Sequence, residues 1–368
     1  MSGKSSNFSK RSAYELEGYE DDYLESDDLE AIPSYFLSET VDKEKFNPIP
    51  TSIHGPPSLQ VKLGVFLEKY KQVFRNTIGP EAALLPPFEL VVDQEKWELP
   101  KNRGPPRRQT DTRAKELKRQ IDVLVDVGGV RPSRAHHYSH AFLVPKPDGE
   151  WRFVLDYINL NYASKTNYSH PIPRIEEMLR RLGDKRPLYF AVVDLTAGYH
   201  QIPIAQESIH LTAFTCIWGI FEWLRLPMGL KGAASYFQQM MWSIVLVNLI
   251  ARICESYLDD IIITGSTEDE FMTNLELVFE RFINFNITLK ASKCRFGLSQ
   301  VEYVGRLIDA TGTHFTESKL DSILNIAKPI TQKHLKSFLG LANWFREHVQ
   351  NYSIIAIPLQ KMDSRIHN

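Results

Sequence analysis

Apolar side chains recur along this chain at two different periods, and the changes between them mark out its elements. Leu63, Phe66, Leu67, Tyr70 and Phe74 fall three or four residues apart, which predicts an amphipathic helix. Leu117, Ile121, Leu124 and Val125 form a second helical stripe, with Gly128 placed to end it. From Ala141 the pattern becomes mixed. AFLVPKPDGEWRFVLDY (141–157) predicts strand, turn and strand, with Pro147, Asp148 and Gly149 supplying the turn. A short helix over 175–183 is expected to stop at Gly183, and Tyr189–Asp194 reads as a strand. FTCIWGIFEWLRL suggests a second hairpin around Trp218 and Gly219, followed by a helix from about Ala233 to Leu249. SYLDDIIITG (256–265) reads as a hairpin, 268–286 as a helix, Val301 to Ile308 as a strand, and 318–327 and 332–350 as helices.

Between 189 and 308 the order is strand, helix, two strands joined by a tight turn, helix, strand. That is the arrangement of a split βαβ, ferredoxin-like sheet, and it makes the fold class α+β. In such a sheet the first strand can lie beside the central hairpin. Asp194, closing the first strand, would then meet Asp259 and Asp260 at the hairpin tip. Adjacent aspartates between strand-forming residues are ordinary turn formers, but partly buried and unpaired they need compensating cations. Three converging carboxylates suit a hard divalent ion, and two such ions can clamp an in-line displacement at phosphorus. Lys146 and Arg152, on the two arms of the 141–157 hairpin, are of the right type to hold a triphosphate. The turn Leu195-Thr-Ala-Gly198 could offer backbone N–H groups, Gly198 allowing close approach. Each residue has a plainer reading. A Lys or Arg on a hairpin is usually solvated, Asp194 alone could cap a helix, and Tyr199 and His200 could be ordinary half-buried residues. Their joint occurrence, in order, weighs against those readings.

Composition narrows the class. With 368 residues, 43% hydrophobic and 24% charged, the chain has the make-up of a folded globular protein with one large core or several smaller ones. No apolar run is long enough to span a bilayer and the N-terminus is polar, so no membrane partner and an intracellular location, cytoplasmic or nuclear, are expected. Cys216, Cys254 and Cys294 form neither a metal pair nor a disulfide framework, which fits a reducing compartment. The net charge of −2 hides an asymmetry: residues 1–50 hold five basic and twelve acidic residues and read as a disordered acidic tail, while the remainder carries +5. A mildly basic body suits a polyanionic partner without requiring one. ELPKNRGPPRRQT (98–110) is Pro-rich and basic, and reads as an extended segment that either touches phosphates or is a solvated connector.

NRGPPRR (102–108), HHYSHAFLVPKPDGEWRFVLDYINLN (136–161), FAVVDLTAGYHQIPI (190–204), TAF (212–214), LRLPMGLKGAASYFQQMM (224–241), YLDDIIITG (257–265), KCRFGLSQVEYVG (293–305) and SFLGLANWFREH (337–348) occur in this order. Together they resemble the reverse transcriptase of gypsy-type long-terminal-repeat (LTR) retrotransposons, from about Trp97 to Leu359. The resemblance implies a right-hand polymerase fold of fingers, ferredoxin-like palm and partial thumb. Residues 1–50 would be the tail, 51–112 an N-terminal extension, 113–308 fingers and palm, and 309–368 the thumb and start of a connection. It implies an RNA-directed DNA polymerase that uses two Mg²⁺ ions (Mn²⁺ as a substitute), deoxynucleoside triphosphates and a primed RNA or DNA template. Matched position by position, Asp194, Asp259 and Asp260 are its catalytic metal-binding carboxylates, with Leu195 in the metal set. Lys146 and Arg152 hold the incoming triphosphate, Ala197 and Gly198 lie beside it, and Tyr199 excludes a 2′-hydroxyl by its bulk. Met228 contacts the nucleotide sugar and base, and Lys293 protonates the leaving pyrophosphate. The chain would be one segment of a polyprotein with protease, ribonuclease H and integrase segments. One departure stands out: Ile158 occupies the place of an Arg in the pattern D-Y-R-x-L-N. That departure and the missing ribonuclease H motivate an alternative, a catalytically dead or co-opted palm that only binds nucleic acid or other proteins.

Overall fold

The computed structural model describes residues 48–145, 149–166, 168–346 and 349–364. The acidic tail expected at 1–50 therefore lies almost wholly outside the described residues, and so does Lys146. Strand β1 (Ser52–Ile53) leads into helix α1 (Pro57–Lys69), which buries Leu59, Leu63, Phe66 and Leu67 on one face. Pro57 opens the helix where an N–H would lack an intrahelical partner anyway. A short α2 (Gln94–Trp97) precedes α3 (Asp111–Asp126), and Gly128 follows with φ 68, the left-handed turn that ends the helix.

Next come β2 (Val130–Pro132), β3 (Ser139–Pro145), β4 (Trp151–Asp156), α4 (Ile158–Ala163) and α5 (Ile175–Lys185). Helix α5 runs through Gly183 rather than stopping there, and ends at Arg186 with φ 46. After β5 (Tyr189–Asp194), β6 (Phe214–Cys216) and β7 (Gly219–Trp223), α6 (Ala233–Met240) passes into one π turn, Met241–Val245. The helix expected to reach Leu249 thus ends earlier. Then follow β8 (Cys254–Tyr257), β9 (Asp260–Gly265), α7 (Glu268–Asn284) and β10 (Arg295–Leu298). The remainder comprises β11 (Gln300–Tyr303), β12 (Arg306–Asp309), β13 (Gly312–Phe315), α8 (Glu317–Leu324), α9 (Gln332–Asn343) and α10 (Tyr352–Ser364). Among the described residues no helix is long and apolar enough to cross a membrane.

The central sheet has the order β1-β10-β5-β9-β8. Its last four members give the ferredoxin-like order, with one correction: the fourth strand is β10, not 301–308. Residues 301–308 divide at Val304 and Gly305, whose φ of 48 and 76 make a tight turn, and β11 and β12 join β13 in a separate antiparallel sheet. The true fourth strand is irregular. Its pairing with β5 shifts register between Arg295 and Leu298, and Gly297 sits at φ 72. A side chain at 297 would collide with the His54 carbonyl oxygen, so this glycine lets β1 add in parallel at the sheet edge.

Alternation along β5 and β9 divides the core. On one face Phe190, Val192 and Ile262 pack with Met178, Leu179 and Leu182 of α5 and with Val301, Tyr303 and Ile308. Helix α7 contributes Phe271, Leu275, Val278, Phe279 and Phe282, all fully buried, each stabilising the fold by about 1.5–3 kcal/mol. Phe66 of α1 meets Phe279 edge-on at 4.9 Å, so the N-terminal segment belongs to this core. A second sheet, β2-β7-β6-β3-β4, buries Phe214, Phe221 and Trp223.

Candidate active site

Strand register brings the carboxylates together. In the antiparallel β5–β9 pair Asp194 lies directly opposite Asp260, two positions beyond the Val192–Ile262 pair. Side chains two residues apart share a face, so both aspartates extend the line of Phe190, Val192 and Ile262 past the end of the apolar core. Like charges directly opposite each other destabilise a sheet. Asp260 is open to solvent as a residue, yet partial shielding of its carboxyl raises its pKa, and the charges of Asp259 and Asp194 raise it further. The cation that answers them is Lys293, whose Nζ donates to Asp194 Oδ2 at 3.0 Å. Lys290 meets Asp194 through its backbone, its N–H donating to the Asp194 carbonyl.

Asp259 occupies the turn between β8 and β9, and strained backbone flanks it. Leu258 has φ 54, left-handed and unfavourable for a residue with a Cβ by about 1–2 kcal/mol. Two contacts hold it there. Gln238, fully buried on α6, accepts from the Leu258 N–H at 2.7 Å and donates to the Ser256 carbonyl at 3.1 Å. Trp242 Nε1 also donates to the Ser256 carbonyl, at 3.1 Å. From the opposite side the Tyr303 hydroxyl donates to the Asp260 carbonyl at 3.0 Å.

The segment after Asp194 closes against this hairpin. Leu195 is buried and bridges to Leu289, and Ala197 takes φ 46 before the short 3-10 helix Gly198–Gln201. A Cβ on Gly198 would stand 3.2 Å from the Phe237 ring and 3.4 Å from Asp259 Cβ, a tight fit that any larger residue would need its neighbours to yield to. The Tyr199 ring stacks on Phe237 with centroids 5.0 Å apart, and burial, then the charge of Asp259, raises its pKa. Asp194, Asp259, Asp260, Lys293, Ala197, Gly198 and Tyr199 thus gather at one edge of the sheet.

Arg152 and Met228 meet elsewhere, in a groove of about 430 Å³ whose walls include Phe153, His200 and Trp223. Arg152 is exposed on β4 and Met228 is 56% exposed. The turn after Met228 is pinned by Asn161, which donates to the Gly229 carbonyl at 2.8 Å and accepts from the Lys231 N–H at 2.7 Å. The His200 ring lies 4.5 Å from that of Trp223, and burial depresses its pKa to about 4. Ile158 is 74% exposed at the start of α4. Beside it the Asp156 carboxylate accepts from Arg107 of the basic segment and from the Ile158 N–H.

The donor set fits hard cations in part. Three carboxylates at one sheet edge, two of them opposed and one with a raised pKa, form a concentration of oxygen donors that a divalent ion would relieve. Among the described residues, however, no group of three or more acidic, imidazole or thiol side chains is placed to hold a metal ion by itself. Mg²⁺ ordinarily takes one or two carboxylates and fills its shell with water and substrate phosphates, so a full cage is not required. Sequence reasoning missed Gln238, Tyr303, Asn161 and Arg107. Gln238 had a signal: a polar side chain in the buried stripe of an apolar helix just before the hairpin.

Comparison with known proteins bears on the family and the fold. The family described as reverse transcriptase (RNA-dependent DNA polymerase) matches residues 144–308. The retrovirus-related Pol polyprotein from transposon opus of Drosophila melanogaster is 36% identical over 252 residues, 67% of this chain and 25% of that polyprotein. That from transposon gypsy of the same organism is 32% identical over 246 residues, 65% of this chain and 23% of the polyprotein. The chain therefore spans about a quarter of the length of these relatives. Among solved structures, a foamy viral protease-reverse transcriptase in complex with dsDNA superposes with TM-score 0.73 and 28% identity, covering 86% of this chain and 64% of that one. The same protein in complex with an RNA/DNA hybrid gives TM-score 0.70 and 27% identity, over 84% and 41%.

Proposed function

From the premise that the chain carries a reverse transcriptase domain of the kind found in the Pol polyproteins of LTR retrotransposons, we propose that it is an RNA-directed DNA polymerase. It would extend a primer 3′-hydroxyl with deoxynucleoside triphosphates on a primed RNA or DNA template. On this reading 113–308 form fingers and palm, 309–368 begin the thumb, and 51–112 are an extension that buttresses the palm sheet. The observation that carries the proposal is the opposition of Asp194 and Asp260 across β5 and β9, with Asp259 at the adjoining turn.

These carboxylates, with Leu195 beside them, would hold two Mg²⁺ ions, Mn²⁺ substituting. When bound, such ions supply charge neutralisation at the attacking and leaving oxygens. The chain's own residues do the rest. Lys293, hydrogen-bonded to Asp194, would hold a proton near the leaving pyrophosphate. Tyr199, fixed on Phe237, blocks added volume at C2′ without needing a hydrogen bond. Ala197 and Gly198 would lie along the nucleotide, while Arg152 and Met228, with Lys146, would hold its triphosphate and sugar. Other segments of a polyprotein, protease, ribonuclease H and integrase, would be its partners.

Primer extension on a homopolymeric RNA template tests this reading. Asp259→Asn is expected to reduce extension at least about 10³-fold while leaving template binding intact. Robust synthesis by that variant would sink the metal assignment. A wild-type chain that binds template in a salt-dependent manner but synthesises nothing with Mg²⁺ or Mn²⁺ would establish the binding-only alternative.

A further inference from the structure

An arginine stands at an inward position of β12. Strand alternation puts Arg306 on the same face as Ile308, a member of the core that α5 shares with the central sheet, and Arg306 is only 7% exposed. A guanidinium is unfavourable to bury, and an apolar side chain would fill the place more easily. The surroundings show what the charge adds. The guanidinium carbon lies 3.8 Å from the centre of the Phe315 ring, its cross-strand neighbour on β13, and 5.3 Å from that of Trp344. Nη2 of Arg306 donates to the Trp344 carbonyl at 3.2 Å. Trp344 ends α9, so the cation meets the negative end of that helix's dipole and occupies a carbonyl in the last turn. Phe345, one residue on, sets its ring 4.5 Å from that of Phe315.

The other strand of this hairpin is tied to the carboxylates. Tyr303 faces Arg306 across the β11–β12 pair, and its hydroxyl donates to the Asp260 carbonyl at 3.0 Å. The hairpin therefore bridges the backbone of the aspartate turn and the end of α9. Lys333 and Lys336 are exposed on α9 one turn apart, cations that suit a nucleic-acid backbone. A cationic helix helps to keep a duplex at the carboxylates only if its distance from them is fixed. We propose that Arg306 is a positioning residue, clamping α9 onto the β11–β12 hairpin and so setting how long primer–template duplex is retained between additions. The role in retention rests on the polymerase reading, whereas the clamp does not.

Three measurements on the full chain test it, with Arg306→Gln, which keeps an amide donor but no charge. Hydrogen exchange reads the clamp without catalysis: exchange across α9 is expected to rise about tenfold while β5 and β9 keep their protection. Dissociation of a fluorescent primer–template from the chain is expected to quicken about tenfold. The rate of one nucleotide addition from the bound complex should stay within about twofold, a split that general loss of structure would not give. Arg306→Lys, which retains the cation, should restore part of both changes. If Arg306→Gln does not fold, Trp344→Leu removes the facing ring and should reproduce them. Unchanged α9 exchange would overturn the clamp, and unchanged dissociation, or no primer–template binding by the wild type, would overturn its role in retention. A wild type that binds duplex but adds no nucleotide would instead sink the polymerase reading, and exchange and dissociation would still decide the role of Arg306.

Discussion

The carboxylate edge and the groove around Arg152 serve the same proposed site but are built in opposite ways. At the carboxylates nearly every group has several constraints: strand register sets Asp194 against Asp260, Gln238 and Trp242 hold the hairpin backbone, and Tyr303 reaches it from the far side. In the groove Arg152 and Met228 stand exposed on an apolar wall, and the main-chain turn beside Met228 is fixed by one residue, Asn161. Charge crowding and left-handed backbone must be held by surrounding contacts, since each raises the free energy of the folded chain. An exposed cation on a long stem needs no such support, because water solvates it until a ligand arrives.

The largest effect that would test this difference comes from Asp260→Asn. Removing one member of the opposed pair is expected to cut primer extension at least about 10³-fold. It is also expected to stabilise the fold by about 0.5 kcal/mol in urea unfolding, because a like-charge cross-strand pair disappears. Destabilisation instead would mean that the pair carries no repulsion to relieve. Next in size is Gln238→Leu. It strands the half-buried Leu258 N–H and removes one of the two side-chain donors to the Ser256 carbonyl, Trp242 being the other, so a loss of about 1–3 kcal/mol and of about 10²-fold in extension is expected. Met228→Leu, at the exposed groove, should change stability by less than about 1 kcal/mol in the same melts. Equal losses at both positions would erase the distinction between the regions.

The same contrast explains what was legible in the sequence. Asp194 and the Asp259–Asp260 pair were readable because β5 and β9 are uninterrupted runs of strand formers, each with its carboxylate at an end, and a period of two leaves little freedom in register. The ferredoxin-like order followed from them. The fourth strand was misplaced because Arg295–Leu298 is short, bulged and glycine-containing, while the neighbouring 301–308 alternates better but spends its residues on a hairpin of another sheet. Strand β1 was invisible for a related reason: two residues before Gly55 and two prolines carry no periodic signal, and only Gly297 opens the sheet edge to them. Gly183 failed as a helix stop because α5 can continue through a glycine when Leu179 and Leu182 are anchored in the core. Gln238 and Asn161 act on backbone atoms of distant segments, and no local pattern announces such partners.

A smaller effect distinguishes the two regions by pH. His200 lies at the groove, where burial holds its pKa near 4, below the ordinary imidazole value. The unfolded chain therefore binds a proton that the folded chain refuses, so this residue's contribution to stability is full above about pH 6.5 and is lost as pH falls toward 4. The full shift would amount to about 3 kcal/mol, and the part of the ring left in contact with solvent reduces the loss to about 2 kcal/mol. Urea unfolding between pH 7.5 and 4 should show that slope, and His200→Phe should flatten it. An unchanged slope in the variant would move the acid sensitivity to other groups.

The finest test lies at Ile158. Its side chain is 74% exposed, and the Asp156 carboxylate beside it is already engaged by Arg107, so the local charge is met without a basic residue at 158. Ile158→Arg should therefore leave stability within about 0.5 kcal/mol, as expected for a surface position with no buried partner. Template binding is where it should register. If the groove side carries the nucleic-acid backbone, one added guanidinium releases about one more counterion, and the plot of log affinity against log salt steepens by about 0.9 on a duplex. An unchanged slope would place residue 158 off the nucleic-acid path, and would leave Arg107, bound to Asp156 and stacked 4.7 Å over the Phe142 ring, as a structural brace for β3 and β4 rather than a phosphate contact.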